Sequence, residues 1–231
     1  MLLAALGVAP MVMGSQDPAR DLLRLAIAAA GGAENLQRQT VFAWHGNATI
    51  HAARGQTIRI EGEWRVEPPD RAIVETFIVE QGPSGTRSMG IDNGRGWWRI
   101  GGVEQPMDAA TLSNERDQFY LYHVLRLAPL LGAEYTLTPL PADADARSGL
   151  RVRREGRRDV ALYFERDHRI GRLTTTVLHP GLKVDVPQEL RLSGTVEAGG
   201  IKWPQRIQIL QRGEPFFDLE LTNFRTLAKF E

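Results

Sequence analysis

Apolar and polar side chains alternate with a period of two residues through most of this 231-residue chain, and this pattern most constrains its fold. Within residues 58–67, for example, the apolar positions are Ile58, Ile60, Trp64 and Val66, with charged residues between them. Successive side chains of a β-strand point to opposite faces, so the pattern indicates strands with one buried face and one wet face. Antiparallel sheets allow this arrangement. The chain is therefore predicted to be mainly β.

About eleven segments of this kind are joined by short polar turns. A sheet of so many strands curls rather than staying flat. Helices are expected only in the middle of the chain and near its start, where Asp17-Pro18 pairs a capping residue with a proline at the first helical position. The predicted fold is α+β, mainly β: an open, strongly curved antiparallel half-barrel with helices covering its concave face.

Residues 108–131 form the one long interior segment without strand periodicity, and they predict a central helix. Its second half is apolar nearly all round, which in a soluble protein requires packing on most sides. Only His123 and Arg126 interrupt this surface, and with Tyr122 they occupy neighbouring positions on the helix. One interpretation is contact with a ligand head group at the mouth of a lipid-sized cavity, since arginine offers a planar fork to oxyanions. The other is a face that meets solvent where the helix leaves the core.

Composition and missing motifs exclude several functions. With 28 basic and 28 acidic residues the net charge is zero, so no global field recruits nucleic acid. Cysteine is absent, which excludes disulfides, thiolate metal sites and an acylated N-terminal cysteine. Ser88 lacks the first glycine of a nucleophile elbow, and His45 and His51 are about 20 Å apart along one strand. We therefore predict no enzyme, no cofactor and no metal site.

Residues 1–14 are apolar and end in Val12-Met13-Gly14, a pattern typical of an export signal cleaved before Ser15. No basic residue precedes Arg20, so an upstream start codon is an open alternative. No stretch reaches the ~20 apolar residues that a membrane-spanning helix needs. Residues 15–231 are expected to form a single domain, a monomer in the periplasm or outside the cell.

Several local motifs resemble the LolA/LppX-like family of exported lipid and lipoprotein carriers. They are GEWRV at 62–66 leading into PDR at 69–71, IDNGRGWW at 91–98, FERDHRIGRL at 164–173 and GIKWPQRI at 200–207. The resemblance implies a half-barrel closed by helices over an apolar cavity that takes acyl chains. In the lipoprotein chaperones of this family an arginine just before the proline of the second strand handles cargo. Glu67 stands at that position here, a departure that favours a divergent carrier or sensor.

The function expected from this resemblance is a soluble carrier for a hydrophobic ligand, either a lipid or an acylated protein. An envelope membrane protein is a further candidate partner. The candidate ligand-binding residues are Trp64, Phe77 and Trp98 on the sheet and Tyr122, His123 and Arg126 on the central helix. For each aromatic residue, ordinary core packing is the alternative. The alternative for the whole chain is an envelope sensor or protein-interaction module with the same fold and no transport role.

Overall fold

The computed structural model of the protein describes residues 17–52, 55–145, 147–179 and 181–230. The predicted export signal at 1–14 lies outside these ranges. Three α-helices are found in the described residues: α1 (Pro18–Ala29), α2 (Ala33–Arg38) and α3 (Ala109–Leu125). None of these three is long and apolar enough to cross a membrane.

Thirteen strands of the described residues form one antiparallel sheet, in the order β6-β5-β4-β3-β2-β1-β15-β14-β11-β10-β9-β8-β7. The strands are β1 (Val41–His51), β2 (Thr57–Glu67), β3 (Arg71–Ile78), β4 (Arg87–Asp92), β5 (Arg95–Ile100), β6 (Val103–Pro106), β7 (Thr136–Leu140), β8 (Ser148–Arg153), β9 (Val160–Phe164), β10 (Ile170–His179), β11 (Val184–Ser193), β12 (Val196–Ala198), β13 (Ile201–Trp203), β14 (Arg206–Gln211) and β15 (Glu214–Leu227). β12 and β13 pair separately as a small hairpin. The large sheet is curved and not closed into a barrel, which confirms the predicted open half-barrel.

The predicted strand number was too low, because the described residues contain fifteen strands. Two amphipathic stretches of the sequence, residues 184–196 and 201–209, are each interrupted in the structure. Gly194, with φ +65°, separates β11 from β12, and Pro204, which has no N–H for a sheet ladder, separates β13 from β14. Strands of three or four residues are too short to show alternation. The short helix α2, directly after the Gly31-Gly32 pair, was also not predicted.

Both longer helices begin at aspartates that accept backbone hydrogen bonds. The Asp17 carboxylate accepts from the N–H groups of Ala19 and Arg20, and Pro18 follows it as predicted. The Asp108 carboxylate accepts from the N–H groups of Ala110 and Thr111 at 2.9 and 3.0 Å. Such caps satisfy donors that have no partner within the helix.

One continuous apolar core fills the concave side of the sheet. Its largest fully buried side chains include Trp44, Phe42, Tyr120 and Phe164. α1 packs on the β7–β8 end of the sheet. The sheet has two arms, strands β1–β6 on one side and β7–β11, β14 and β15 on the other, and α3 packs against β4 of the first arm and β10 of the second. The central helix α3 therefore lies on the concave side of the curved sheet. After it the chain continues through Leu127, at φ +58°, into a 3-10 turn at Ala128–Leu131.

Candidate functional site

A cavity of about 420 Å³ lies between residues 114–122 of α3 and the concave face of the sheet. We call it the α3 cavity. Its walls come from β1 to β5 on one arm, from β11, β14 and β15 on the other, and from α3. Exposed Ile58 and Arg87 lie at its rim. This volume is within the ~300–1,000 Å³ typical of small-molecule sites.

Strand alternation makes the walls of the α3 cavity apolar. Val74, Thr76 and Ile78 are every second residue of β3, and all three face it. From the opposite arm, Leu190 of β11 and Ile207 and Ile209 of β14 contribute. The antiparallel register places Leu190 directly beside Ile209, so the two strands present one apolar surface.

Aromatic stacking joins α3 to the sheet at one end of the cavity. Trp64 lies parallel to Trp44 with ring centroids 6.4 Å apart, and Tyr122 meets Trp44 edge-on at 5.5 Å. Tyr122 also contacts Trp203 at 6.3 Å. Trp44 is fully buried, whereas Trp64 and Tyr122 border the cavity. These contacts fix the rotation of α3 about its axis.

Polar groups enter the cavity from one face of α3, at Asn114, Glu115 and Gln118. The amide of Asn114 donates to the Leu178 carbonyl oxygen at 2.8 Å. Burial raises the pKa of the Glu115 carboxyl to about 7. Sequence reasoning missed Glu115 and Gln118, although Glu115 is seven residues before Tyr122, a two-turn spacing that places both on one helix face.

Solved structures of similar shape cover nearly the whole chain. A LolA superfamily protein from Nitrosomonas europaea is 14% identical, with a TM-score of 0.59 over 92% of this chain and 94% of that chain. A putative outer membrane lipoprotein-sorting protein domain from Vibrio parahaemolyticus is 7% identical, with a TM-score of 0.55 over 93% of this chain and 94% of that chain. The chain has the LolA-like fold.

A DUF1329 family protein from Desulfovibrio piger shares the LolA-like fold of this chain as well. It is 11% identical, with a TM-score of 0.58 over 94% of this chain and 96% of that chain. No protein-family model and no curated protein matches the sequence. The predicted resemblance to LolA/LppX-like proteins is thus confirmed for the fold, at sequence identities where only the fold is shared.

Within the LolA-like fold, four of the candidate ligand-binding residues border the α3 cavity. They are Trp64, Phe77, Trp98 and Tyr122. Phe77 borders the cavity less directly than its neighbours Thr76 and Ile78, because successive side chains of β3 point to opposite faces of the sheet. Trp98 is partly exposed, whereas Trp64 is only 6% exposed. The structure therefore brings these four aromatic side chains together around one cavity, and their contact with a ligand stays a prediction.

His123 and Arg126 do not border the α3 cavity. Arg126 is the C-cap residue of α3 and lies one turn beyond Tyr122, past the part of the helix that lines the cavity. His123 Nε2 is 2.8 Å from the Tyr135 hydroxyl, and Arg126 donates to the Leu36 carbonyl oxygen at 3.2 Å. Arg126 is only 6% exposed, and His123 is partly buried. These two side chains therefore contact other parts of the protein and not the α3 cavity.

Burial changes the titration of these two side chains. It lowers the pKa of His123 to about 4, and the positive charge of Arg126 acts in the same direction. Burial also lowers the pKa of Arg126, while the nearby Glu67 carboxylate opposes the shift. Glu67, at the position where the lipoprotein chaperones carry arginine, pairs with Arg71 at 2.9 Å. Two arginines therefore act on Glu67: Arg71 of β3 by direct pairing and Arg126, just after α3, through its charge.

A larger concavity of about 750 Å³ involves β1, β2, β14 and β15, but its charged side chains already have partners. Arg206 pairs with Glu220 at 3.1 Å, and Asp218 accepts from His51 at 2.6 Å. His45 likewise lies between two glutamates of β2, so the histidines on this strand are paired rather than free. Within the described ranges no group of three or more histidines and carboxylates could hold a metal ion. The α3 cavity is therefore the candidate site.

Proposed function

We propose that this protein is an exported binding protein that carries a hydrophobic ligand, a lipid or the acyl chain of a protein, in the α3 cavity. The observation that carries the proposal is the apolar hollow between a central helix and a curved sheet. Burial of a methylene group contributes about 0.8 kcal/mol, so a twelve-carbon chain gains roughly 10 kcal/mol before ordering costs. A site of this kind needs no reacting groups, which supports a binding protein rather than an enzyme.

The proposal also covers where and with what the protein acts. Residues 1–14 would direct export, and residues 15–231 would act as one monomeric domain in the periplasm or outside the cell. A carrier must receive and release its ligand, so an envelope membrane protein is the expected second partner. The LolA-like fold supports these assignments by similarity of shape.

A second candidate function, protein recognition by a sensor module, is favoured by exposed apolar side chains at two hairpins of the large sheet. Ile100 and Val103 face each other across the β5–β6 hairpin and are 52% and 61% exposed. Leu182 and Val184, at the β10–β11 hairpin, are 51% and 53% exposed. Exposed apolar patches mark interaction sites more often than isolated residues do.

Lipid extraction and native mass spectrometry of the purified protein separate the two functions. We expect a co-purified lipid or, after delipidation, uptake of a fluorescent apolar probe. Thr76→Trp places an indole in the cavity wall and should weaken probe binding at least about tenfold, equivalent to about 1.4 kcal/mol.

The matched control is Thr49→Trp. Thr49 lies in β1 next to Ile50, which lines the cavity, so strand alternation turns residue 49 to the opposite face. This variant should bind the probe as the wild type does. Absence of lipid and of probe binding in both wild type and control would leave the sensor module as the function.

A further inference from the structure

The polar side chains on the cavity face of α3 differ in whether they have hydrogen-bond partners within the protein. Asn114 donates to the carbonyl oxygen of Leu178, as described above. Gln118 exchanges two hydrogen bonds of 2.9 Å each with Gln188 of β11. Glu115 lies between these residues on the helix, yet in the part of the chain that the structure describes no hydrogen bond or ion pair reaches its carboxylate. The Glu115 carboxylate is therefore the polar group of this helix face that a ligand could bind.

A carboxylate held against apolar walls is poorly solvated. Burying a polar group without a hydrogen bond costs free energy, and burying a charge without a partner costs more. A ligand that donates a hydrogen bond, or brings a positive charge, removes this cost on binding. A ligand that brings a second carboxylate increases it, because two like charges must share a site of low polarity.

The other charged and titratable groups around the cavity do not neutralise Glu115. Arg87 of β4 is exposed at the rim and forms no ion pair with Glu115 in the described structure. Tyr122 also borders the hollow, and its pKa is raised by burial and by the nearby Glu115 carboxylate. A phenol that remains protonated adds no charge. Among the described residues that line the cavity, Glu115 is therefore the one carboxylate, and Arg87 at the rim is the one basic group.

We propose that Glu115 selects the ligand: the α3 cavity binds single-chain amphiphiles whose polar group donates hydrogen bonds, amines before alcohols, and discriminates against fatty-acid anions. The inference rests on the proposed ligand-binding function and adds the chemical class of the head group. The acyl or alkyl chain lies along Trp64, Val74 and Ile209, and the head group meets the Glu115 carboxylate.

The test measures binding of three probes that share a twelve-carbon chain: dodecylamine, dodecanol and dodecanoate. At pH 8 the wild type should bind dodecylamine at least about tenfold more tightly than dodecanoate, a difference of about 1.4 kcal/mol. Glu115→Gln should reduce this preference to less than about threefold, mainly by weakening dodecylamine. Glu115→Asp keeps the charge and should keep the order of the probes, which separates selection by charge from a loss of structure.

Outcomes of this experiment distinguish the inference from the function on which it rests. If no probe binds, or if Thr76→Trp binds all three as the wild type does, the ligand-binding function itself is wrong. If all three bind and Thr76→Trp weakens them, but dodecanoate binds as well as dodecylamine in the wild type, selection by Glu115 is wrong. Weaker dodecanoate binding in Arg87→Ala would then assign the head group to the rim.

Discussion

Replacing the cavity carboxyl by an amide should make the protein more stable, by an amount that grows as the pH rises from about 4.5 to about 7. Glu115 ionises with a pKa of about 7 in the folded protein because burial disfavours its charged form, whereas an ordinary glutamate has a pKa of 4.5. The folded state therefore binds more protons than the unfolded state between these two values. Stability is full below about pH 4.5 and is lost as the pH rises through 7. The glutamine side chain in Glu115→Gln does not titrate, so the variant lacks this loss of stability.

The size of the effect follows from the two pKa values. Their difference is 7 − 4.5, or about 2.5 units, and each unit is equivalent to about 1.4 kcal/mol. Because Glu115 is partly exposed to the hollow, solvent reduces the full value, and we expect about 2–3 kcal/mol at pH 8. In a chain of this length that difference corresponds to a rise in Tm of roughly 5–10 °C.

Thermal and urea unfolding at pH 5 and pH 8 measure this difference directly. The control is Glu34→Gln, since the Glu34 side chain is 91% exposed and should show little change at either pH. Titration of other groups is common to wild type and variant and cancels in the comparison. An advantage of Glu115→Gln that is equal at both pH values, or a loss of stability at pH 8, would refute the argument that burial controls this carboxyl.

Three further predictions concern the helix and the sheet around the cavity. The pKa of His123 is lowered to about 4, so this side chain holds fewer protons in the folded than in the unfolded protein, and wild-type stability should fall by up to about 3 kcal/mol as the pH drops from about 6.5 to 4. His123→Gln should flatten that part of a urea-unfolding pH profile. An unchanged slope would contradict the lowered pKa of His123. Asp108→Ala removes the cap of α3 and should cost about 1 kcal/mol in thermal unfolding, with Asp108→Asn close to wild type. Gly62→Ala places a methyl group against the Glu75 carbonyl oxygen of the neighbouring strand and should lower the free energy of unfolding, measured with urea, by about 1–3 kcal/mol. No change in that free energy would mean that β2 and β3 can separate locally.

Much of the fold was predictable from the sequence because its signals are local. The Asp92-Asn93-Gly94 turn joins β4 to β5 with positive φ at Asn93 and Gly94, as the hairpin pattern predicts. The cap at Asp17 and the alternation in β2 likewise depend on neighbouring residues alone. Short strands such as β12 and β13 give no such signal, since three residues are too few to establish a period.

The candidate site was only partly predictable. Trp64, Phe77, Trp98 and Tyr122 border the cavity, whereas His123 and Arg126 contact the Tyr135 hydroxyl and the Leu36 carbonyl oxygen, and Glu115 borders the cavity instead. An apolar helix surface interrupted by few polar residues does not show which side faces a hollow. The rotation of the helix depends on packing, including the edge-on contact of Tyr122 with Trp44 and its tilted contact with Trp203.

The sequence by itself determined the longer strands, their buried faces and the position of the central helix, because alternation and capping are properties of consecutive residues. Only the tertiary structure decided that β1 pairs with β15, with Val41 opposite Leu227 although the two are far apart in the chain. That pairing joins the two arms of the open sheet, between which α3 and the cavity lie. Pairing between distant strands and the rotation of a buried helix depend on the fit of surfaces far apart in the chain, which a local pattern does not contain.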